Sequence, residues 1–366
     1  MAMERDQNHR REGKIVRSDN PLNLEMPFEE LDGFVTPTNS FYVRCHFPIP
    51  SIRRNDWRLR VEGSVGKPFE LSYDELVKLE SVTVPATLEC AGNNRELLEE
   101  KVKGVQWGLG AVGNAEWKGV ALSTLLARAE VKANAREIIL EGADEGSPED
   151  PKAPSGKVRF ARSIPLAKAK EDVVIAYQMN GDDLPPEHGF PVRAIVPGWY
   201  AVASVKWLQR IIVVDRPFSG YYQTYDYAFW KRDGENAELV ALTELQVKAE
   251  IAQPTPNEVL RANSTKKIHG AAWTGEGEIT KVEVSVDGGA TWSEAILNQK
   301  AERNTWRLWE HQWTPSKPGK HTLVARATDS NGRTQPVARD PDRGTYMINH
   351  LLPVNVNVEA ASQPLQ

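Results

Sequence analysis

Beyond Gln253-Pro254-Thr255-Pro256 the sequence changes period, which divides the chain into two units of different kind. Val282, Val284 and Val286 alternate with Glu283 and Ser285, then Asp287-Gly288-Gly289 leads into Thr291-Trp292. Successive side chains of a strand point to opposite faces, so this is a half-buried strand entering a hairpin. The alternation returns at Leu323, Ala325 and Ala327, and again at Val354, Val356 and Val358. Repeated short alternating strands with turn signals imply an all-β sandwich of immunoglobulin-like type, placed at residues 243–360.

Residues 20–242 read differently, as a mixed α and β domain, so the expected fold class is α+β. Ser72 and Glu75 have capping-box spacing ahead of Leu76 and Leu79. Leu122, Leu125, Leu126 and Ala129 follow the i, i+3, i+4, i+7 stripe of a helix. Ile138 to Leu140, Val173 to Ala176 and Ile211 to Val214 are short apolar runs suited to buried strands. The charged stretch from about 232 to 256 reads as a passage between the two domains. The first 14 residues are charged and show no apolar core, and neither a repeat nor a low-complexity tract occurs.

Composition removes several function classes. With 366 residues, the chain needs no disulfide staples to bury a core. Its two cysteines, Cys45 and Cys90, are too few for a disulfide scaffold, an iron–sulfur protein or a structural zinc module. A net charge of -5 argues against nucleic-acid binding, and no apolar run is long enough to span a bilayer. The eleven tryptophans suggest aromatic-lined surfaces. Without a secretory signal the chain is expected in the cytoplasm, or in the periplasm if a presequence precedes it.

The most unusual stretch is Thr87-Leu88-Glu89-Cys90-Ala91-Gly92-Asn93-Asn94-Arg95. A cysteine closes an extended segment and opens a loop of small residues. Ala91 and Gly92 leave room for a bulky group, and Arg95 would favour thiolate. A lone buried cysteine is more often structural than reactive. A thiolate here could be a nucleophile or a soft metal ligand. No hydrolase signature surrounds Cys90, but His46 and His188 leave hydrolysis open on spacing alone.

Cys90-Ala91-Gly92-Asn93-x-Arg95 resembles the molybdenum-ligand motif of the sulfite oxidase family. Phe41-Tyr42-Val43-Arg44-x-His46-x-Pro48-x-Pro50 is similar to the family's upstream arginine segment. Gly181-x-x-Leu184-Pro185-x-x-His188-Gly189-Phe190-Pro191-Val192-Arg193 is similar to its cofactor segment, followed by Pro197-Gly198 and Ser204-Val205-Lys206-Trp207-Leu208. Several ordered motifs from about residue 30 to 358 make this more specific than one short match. The resemblance implies a molybdenum–molybdopterin enzyme with a catalytic domain over 20–242 and an immunoglobulin-like dimerisation domain over 243–360.

Carried over residue by residue, the resemblance makes Cys90 the metal ligand. Tyr42, Val43, Arg44, Cys45, His46, Asp144, His188, Arg193, Ser204, Val205 and Lys206 would hold the pterin and its phosphate. Arg44, Arg95, Trp107, Tyr227 and Arg343 would form the substrate pocket. Three arginines around one small site call for an anion, and sulfite suits them. Singly, Arg343 would pass for a solvated charge and Trp107 for plain core. Two positions depart from the family pattern: Asn94 stands where arginine is common, and Cys45 where asparagine is common.

The activity implied is oxidation of sulfite to sulfate. The alternatives are a molybdopterin-dependent reductase of nitrate or an S-oxide, and a non-catalytic immunoglobulin-like binding protein. No haem-attachment motif occurs and no domain of haem-binding size precedes Arg44. Electrons are therefore expected to leave for an external acceptor, with a c-type cytochrome the first expectation. The other expectations are a homodimer, and no nucleic-acid or membrane partner.

Overall fold

The computed structural model describes residues 10–150, 153–275, 277–298 and 300–360. Sheet dominates. Among the described residues the α-helices are Tyr73–Leu76, Leu122–Ala129, Leu166–Glu171 and Tyr221–Thr224, none longer than 8 residues. The mixed α and β expectation holds in part: both helices read from the sequence are present, but sheet is by far the larger share. Short apolar runs such as Ile138 to Leu140, inside the strand Glu137–Gly146, and Val174 to Ala176, inside Val174–Met179, build strands as expected.

Two five-stranded sheets carry the first half. In one, the order is Val158–Pro165, Glu137–Gly146, Leu208–Val214, Arg58–Gly63 and Phe69–Ser72. Only the Leu208–Val214 to Arg58–Gly63 pair is parallel. In the other, Asp182–Asp183, Val174–Met179, Val112–Ala121 and Val82–Glu89 follow in order, with Arg193–Ile195 also paired to Val174–Met179. The helix Leu122–Ala129 buries the expected stripe of Leu122, Leu125, Leu126 and Ala129. Each fully buried leucine contributes roughly 1.5–3 kcal/mol. Ser72 caps Tyr73–Leu76 with both bonds of a capping box to Glu75.

A four-stranded sheet of Arg10–Arg11, Lys14–Asp19, Leu22–Glu25 and Val43–Arg44 lies at the start of the chain. Lys14 is buried there and donates to the Asn39 carbonyl, so the charged N-terminal reading missed a strand that packs. Residues 232–256 are not a bare passage either. Ala228–Asp233 and Asn236–Ala241 form a two-stranded ribbon whose charges stay exposed, and Lys248–Gln253 begins the next sheet.

Beyond it, Lys248–Gln253, Lys266–Trp273, Arg307–Trp313 and Ile296–Leu297 form one sheet. Val259–Arg261, Val354–Glu359, Gly319–Asp329, Ile279–Ser285 and Ser293–Glu294 form the other. Val282, Val284, Leu323, Ala325, Val354 and Val356 pack with Ile268, Ala272 and Trp309 in one core between the two sheets. The expected hairpin is present: Ile279–Ser285 pairs antiparallel with Ser293–Glu294, and Gly288 and Gly289 take positive φ in its turn. Seven of the tryptophans, including Trp57, Trp117 and Trp273, are fully buried in the interior.

Candidate active site

The ladder between Val82–Glu89 and Val112–Ala121 ends at the Glu89–Val112 pair, and Cys90 follows at its mouth. The next bonds fix the loop. Cys90 N donates to Ala111 O at 2.8 Å, Asn93 N to Cys90 O at 2.9 Å, and Asn94 N to Gly108 O at 2.9 Å. Asn94 takes φ 73, a left-handed conformation that asparagine tolerates. Glu25, from the N-terminal sheet, accepts from Gly108 N at 3.0 Å and Gly110 N at 2.8 Å and holds the facing segment. Nothing in the sequence singled out Glu25.

Cys90 lines a cavity with Tyr42, Arg44, His46, Asp144, His188, Arg193, Ser204, Lys206 and Tyr227. These come from separate stretches of the first half. The structure thus brings together most of the expected residues. Val43, Cys45 and Val205 are buried behind the wall, with Cys45 Sγ 3.3 Å from the Lys206 ammonium. Phe160 and Trp207 also line the cavity, and no sequence signal pointed to Phe160. Its ring stacks on His46 at 4.5 Å.

Arg95, Trp107 and Arg343 are not on the cavity wall. Arg95 is buried and donates through Nε to Thr345 O at 2.9 Å and Thr345 Oγ1 at 2.7 Å. Its guanidinium lies 4.9 Å from the Tyr346 ring centroid. A Cβ on Gly92 would come within 2.2 Å of that guanidinium, and one on Gly104 within 2.4 Å. Gly92 therefore makes room for Arg95, not for the bulky group expected from the sequence. Trp107 is fully buried beside Tyr42 with a ring separation of 6.4 Å. Arg343 donates to Asn349 Oδ1 at 3.0 Å and to Asp340 Oδ2 at 3.3 Å. The segment carrying it does reach the site, because Met347 N donates to Ala91 O at 2.9 Å.

The electrostatics of the cavity are cationic. Burial lowers the His46 and His188 imidazoles well below their ordinary value, and neighbouring Arg44, Lys206 and Arg193 add to this. Both rings are neutral near pH 7. Burial pushes the Tyr227 hydroxyl up to about 12, so it keeps its proton. Arg44 Nη2 lies 3.4 Å from Tyr227 Oη, which is 2.5 Å from His46 Nε2. A protonated phenol beside a neutral imidazole gives the chain Arg44 to Tyr227 to His46, each donating to the next. Burial also brings Arg193 down to about 10 and Asp144 up to about 7.

Several buried polar atoms here have no hydrogen-bond partner among the described residues: Arg44 Nε, Arg193 Nε, His188 Nε2, Asp144 Oδ1 and Trp107 Nε1. Buried polar atoms are rarely left unmatched, so such a concentration marks a place built for a polar, anionic group. A molybdopterin, with a phosphate and hydrogen-bonding pterin edges beside a soft-metal thiolate, suits this set.

Residues 46–222 match the oxidoreductase molybdopterin binding domain, and residues 240–356 the Mo-co oxidoreductase dimerisation domain. The sulfite oxidase of Gallus gallus is 35% identical over 347 residues, covering 89% of this chain and 74% of that protein. The chain belongs to the sulfite oxidase family. The mitochondrial sulfite oxidase of Mus musculus is also 35% identical, over 88% of this chain, which spans only 61% of the mouse protein's length. Among solved structures, the sulfane dehydrogenase SoxCD of Paracoccus pantotrophus superposes with a TM-score of 0.80 at 29% identity, over 94% of this chain and 88% of that one. The NADPH nitrate reductase of Aspergillus niger is 34% identical over a shorter share, 77% of this chain and 35% of that protein.

Proposed function

We propose that this protein oxidises sulfite to sulfate at a molybdenum held by a pterin and by the Cys90 thiolate, and passes the electrons to an external acceptor. The observation that carries this reading is the set of unmatched buried atoms around Cys90, three of them nitrogens of Arg44, Arg193 and His188. Family membership gives the set its meaning. The bound metal would supply the oxygen transfer and the two-electron change. This chain's residues would bind and orient. Arg193 and Lys206 would neutralise the phosphate, and Asp144 and His188 would meet the pterin edges.

Arg44 and Tyr227 would face the substrate. Arg44 remains cationic, and Tyr227 holds a proton that it can turn from His46 toward an oxygen of the anion. Arg95, Trp107 and Arg343 would act from behind: Arg95 and Arg343 through the segment 343–349, and Trp107 through its free indole N–H. Two domains divide the work, 20–242 for the cofactor and 243–360 as an immunoglobulin-like sandwich through which two copies pair. Sulfite is favoured over nitrate because the sulfite oxidases align over 87–89% of this chain, more than the nitrate reductases.

The test is sulfite-dependent reduction of ferricyanide and of a c-type cytochrome by purified protein, beside nitrate reduction with a viologen donor. Sulfite turnover without nitrate turnover supports the reading. Nitrate turnover without sulfite turnover overturns it.

A further inference from the structure

A charged cluster lies buried behind the Cys90 loop, outside the cavity. Glu89 immediately precedes Cys90, and its carboxylate accepts from Lys248 Nζ at 2.8 Å, Trp273 Nε1 at 2.9 Å and Asn93 Nδ2 at 3.3 Å. Lys248 also donates to Asn94 Oδ1 and lies 3.0 Å from Glu250. Glu89, Asn94, Lys248 and Glu250 are 0–3% exposed. Glu89 and Asn94 flank the cysteine in the first half of the chain, while Lys248 and Glu250 belong to the strand Lys248–Gln253 of the second. Burial lowers the ammonium's pKa, but Glu250 and Glu89 outweigh it and hold Lys248 above its ordinary value.

We propose that Lys248 is a positioning residue for Cys90: an ammonium delivered from the second half of the chain fixes both ends of the metal-ligating loop. Its hydrogen bonds tie the residue before Cys90 to a residue four beyond it, and so close the loop into a ring of fixed width. An uncharged residue at 248 would leave the buried Glu89 carboxylate without its counter-ion, and the loop would open to hydrate it. The departure at position 94 fits this arrangement. An arginine at 94 would set a second cation against Lys248 in a space that holds one. The short asparagine lets the cation come from across the chain instead. The inference rests on the reading of Cys90 as the ligand only for its consequence in catalysis; the loop geometry stands apart from it.

The experiment measures alkylation of Cys90 by iodoacetamide in cofactor-free protein, resolved from Cys45 by peptide mass spectrometry, together with molybdenum content of protein made in molybdenum-replete cells. Lys248→Met should speed Cys90 alkylation and lower molybdenum content, each by about ten- to hundredfold, the worth of one hydrogen bond to a charged group. The double variant Asn94→Arg with Lys248→Met returns one cation to the cluster from the loop side. It should bring both readouts back to within about threefold of wild type, less what the left-handed backbone at 94 costs an arginine. A folded Lys248→Met with wild-type alkylation overturns the proposal. So does a double variant no better than Lys248→Met; if the single variant fails to fold, a double variant that also fails to fold, or that folds with Cys90 alkylation more than about tenfold above wild type, overturns it. Wild-type protein without molybdenum but with the alkylation pattern expected would sink the proposed function and leave the role of Lys248 standing.

Discussion

Tyr227→Phe removes one oxygen from the centre of the site and little else. The ring stacks on Tyr346 at 4.9 Å, and phenylalanine retains that packing. What goes is the hydroxyl 2.5 Å from His46 Nε2 and 3.4 Å from Arg44 Nη2. The Arg44 contact is long, so its direct worth is small. The larger effect is that the substrate anion loses a donor. A hydrogen bond involving a charged group contributes roughly 1.5–3 kcal/mol, so kcat/KM for sulfite should fall about 10- to 100-fold. Molybdenum content should not change, because the hydroxyl bonds only to Arg44 and His46 among the described residues. The assay is steady-state sulfite kinetics with a molybdenum determination on the same preparation. A fully loaded Tyr227→Phe with kcat/KM within about twofold of wild type would refute the role given to the Arg44–Tyr227–His46 chain.

Two further outcomes follow from the same geometry. Arg343→Met should lower kcat/KM for sulfite by about tenfold at full molybdenum content, the loss of one charge-assisted bond in the segment docked on Ala91; an unchanged value would leave Arg343 as a loop anchor for Asp340 and Asn349 alone. Asp144, raised by burial to about 7, binds a proton in the folded cofactor-free protein that the unfolded chain has released above about 4. That contribution to stability is complete below about pH 4 and is lost as pH rises through about 7, at most about 4 kcal/mol. Urea unfolding of the cofactor-free protein at pH 5 and pH 8 should show the decline, and Asp144→Asn should flatten it; equal slopes in the two proteins would contradict the assignment.

Local pattern explains what the sequence revealed. Val282 and Val284 announced a strand because alternation is a local, period-two signal, and Leu122 to Ala129 announced a helix by the same logic at period 3.6. The Cys90 loop stood out because a cysteine among small residues is rare chemistry. Long-range partnership stayed hidden. Lys248 looks like any surface lysine until the fold sets it beside Glu89, 159 positions away. Its strand was hidden inside a charged stretch because the ribbon just before it is exposed on both faces. Gly92 was legible as a place needing space but not as to whose space, since Arg95 folds back over it only once Thr345 arrives.

On the proposed function, the Cys90 thiolate would hold molybdenum inside the cationic cavity. Metal analysis of wild type and Cys90→Ser, both purified from molybdenum-replete cells and read beside the visible absorption spectrum, addresses it most directly. The expected result is about one molybdenum per wild-type chain, with a thiolate-to-metal absorption band that Cys90→Ser loses together with sulfite turnover. Zinc or no metal in the wild type, or an unchanged band and full turnover in Cys90→Ser, would contradict it.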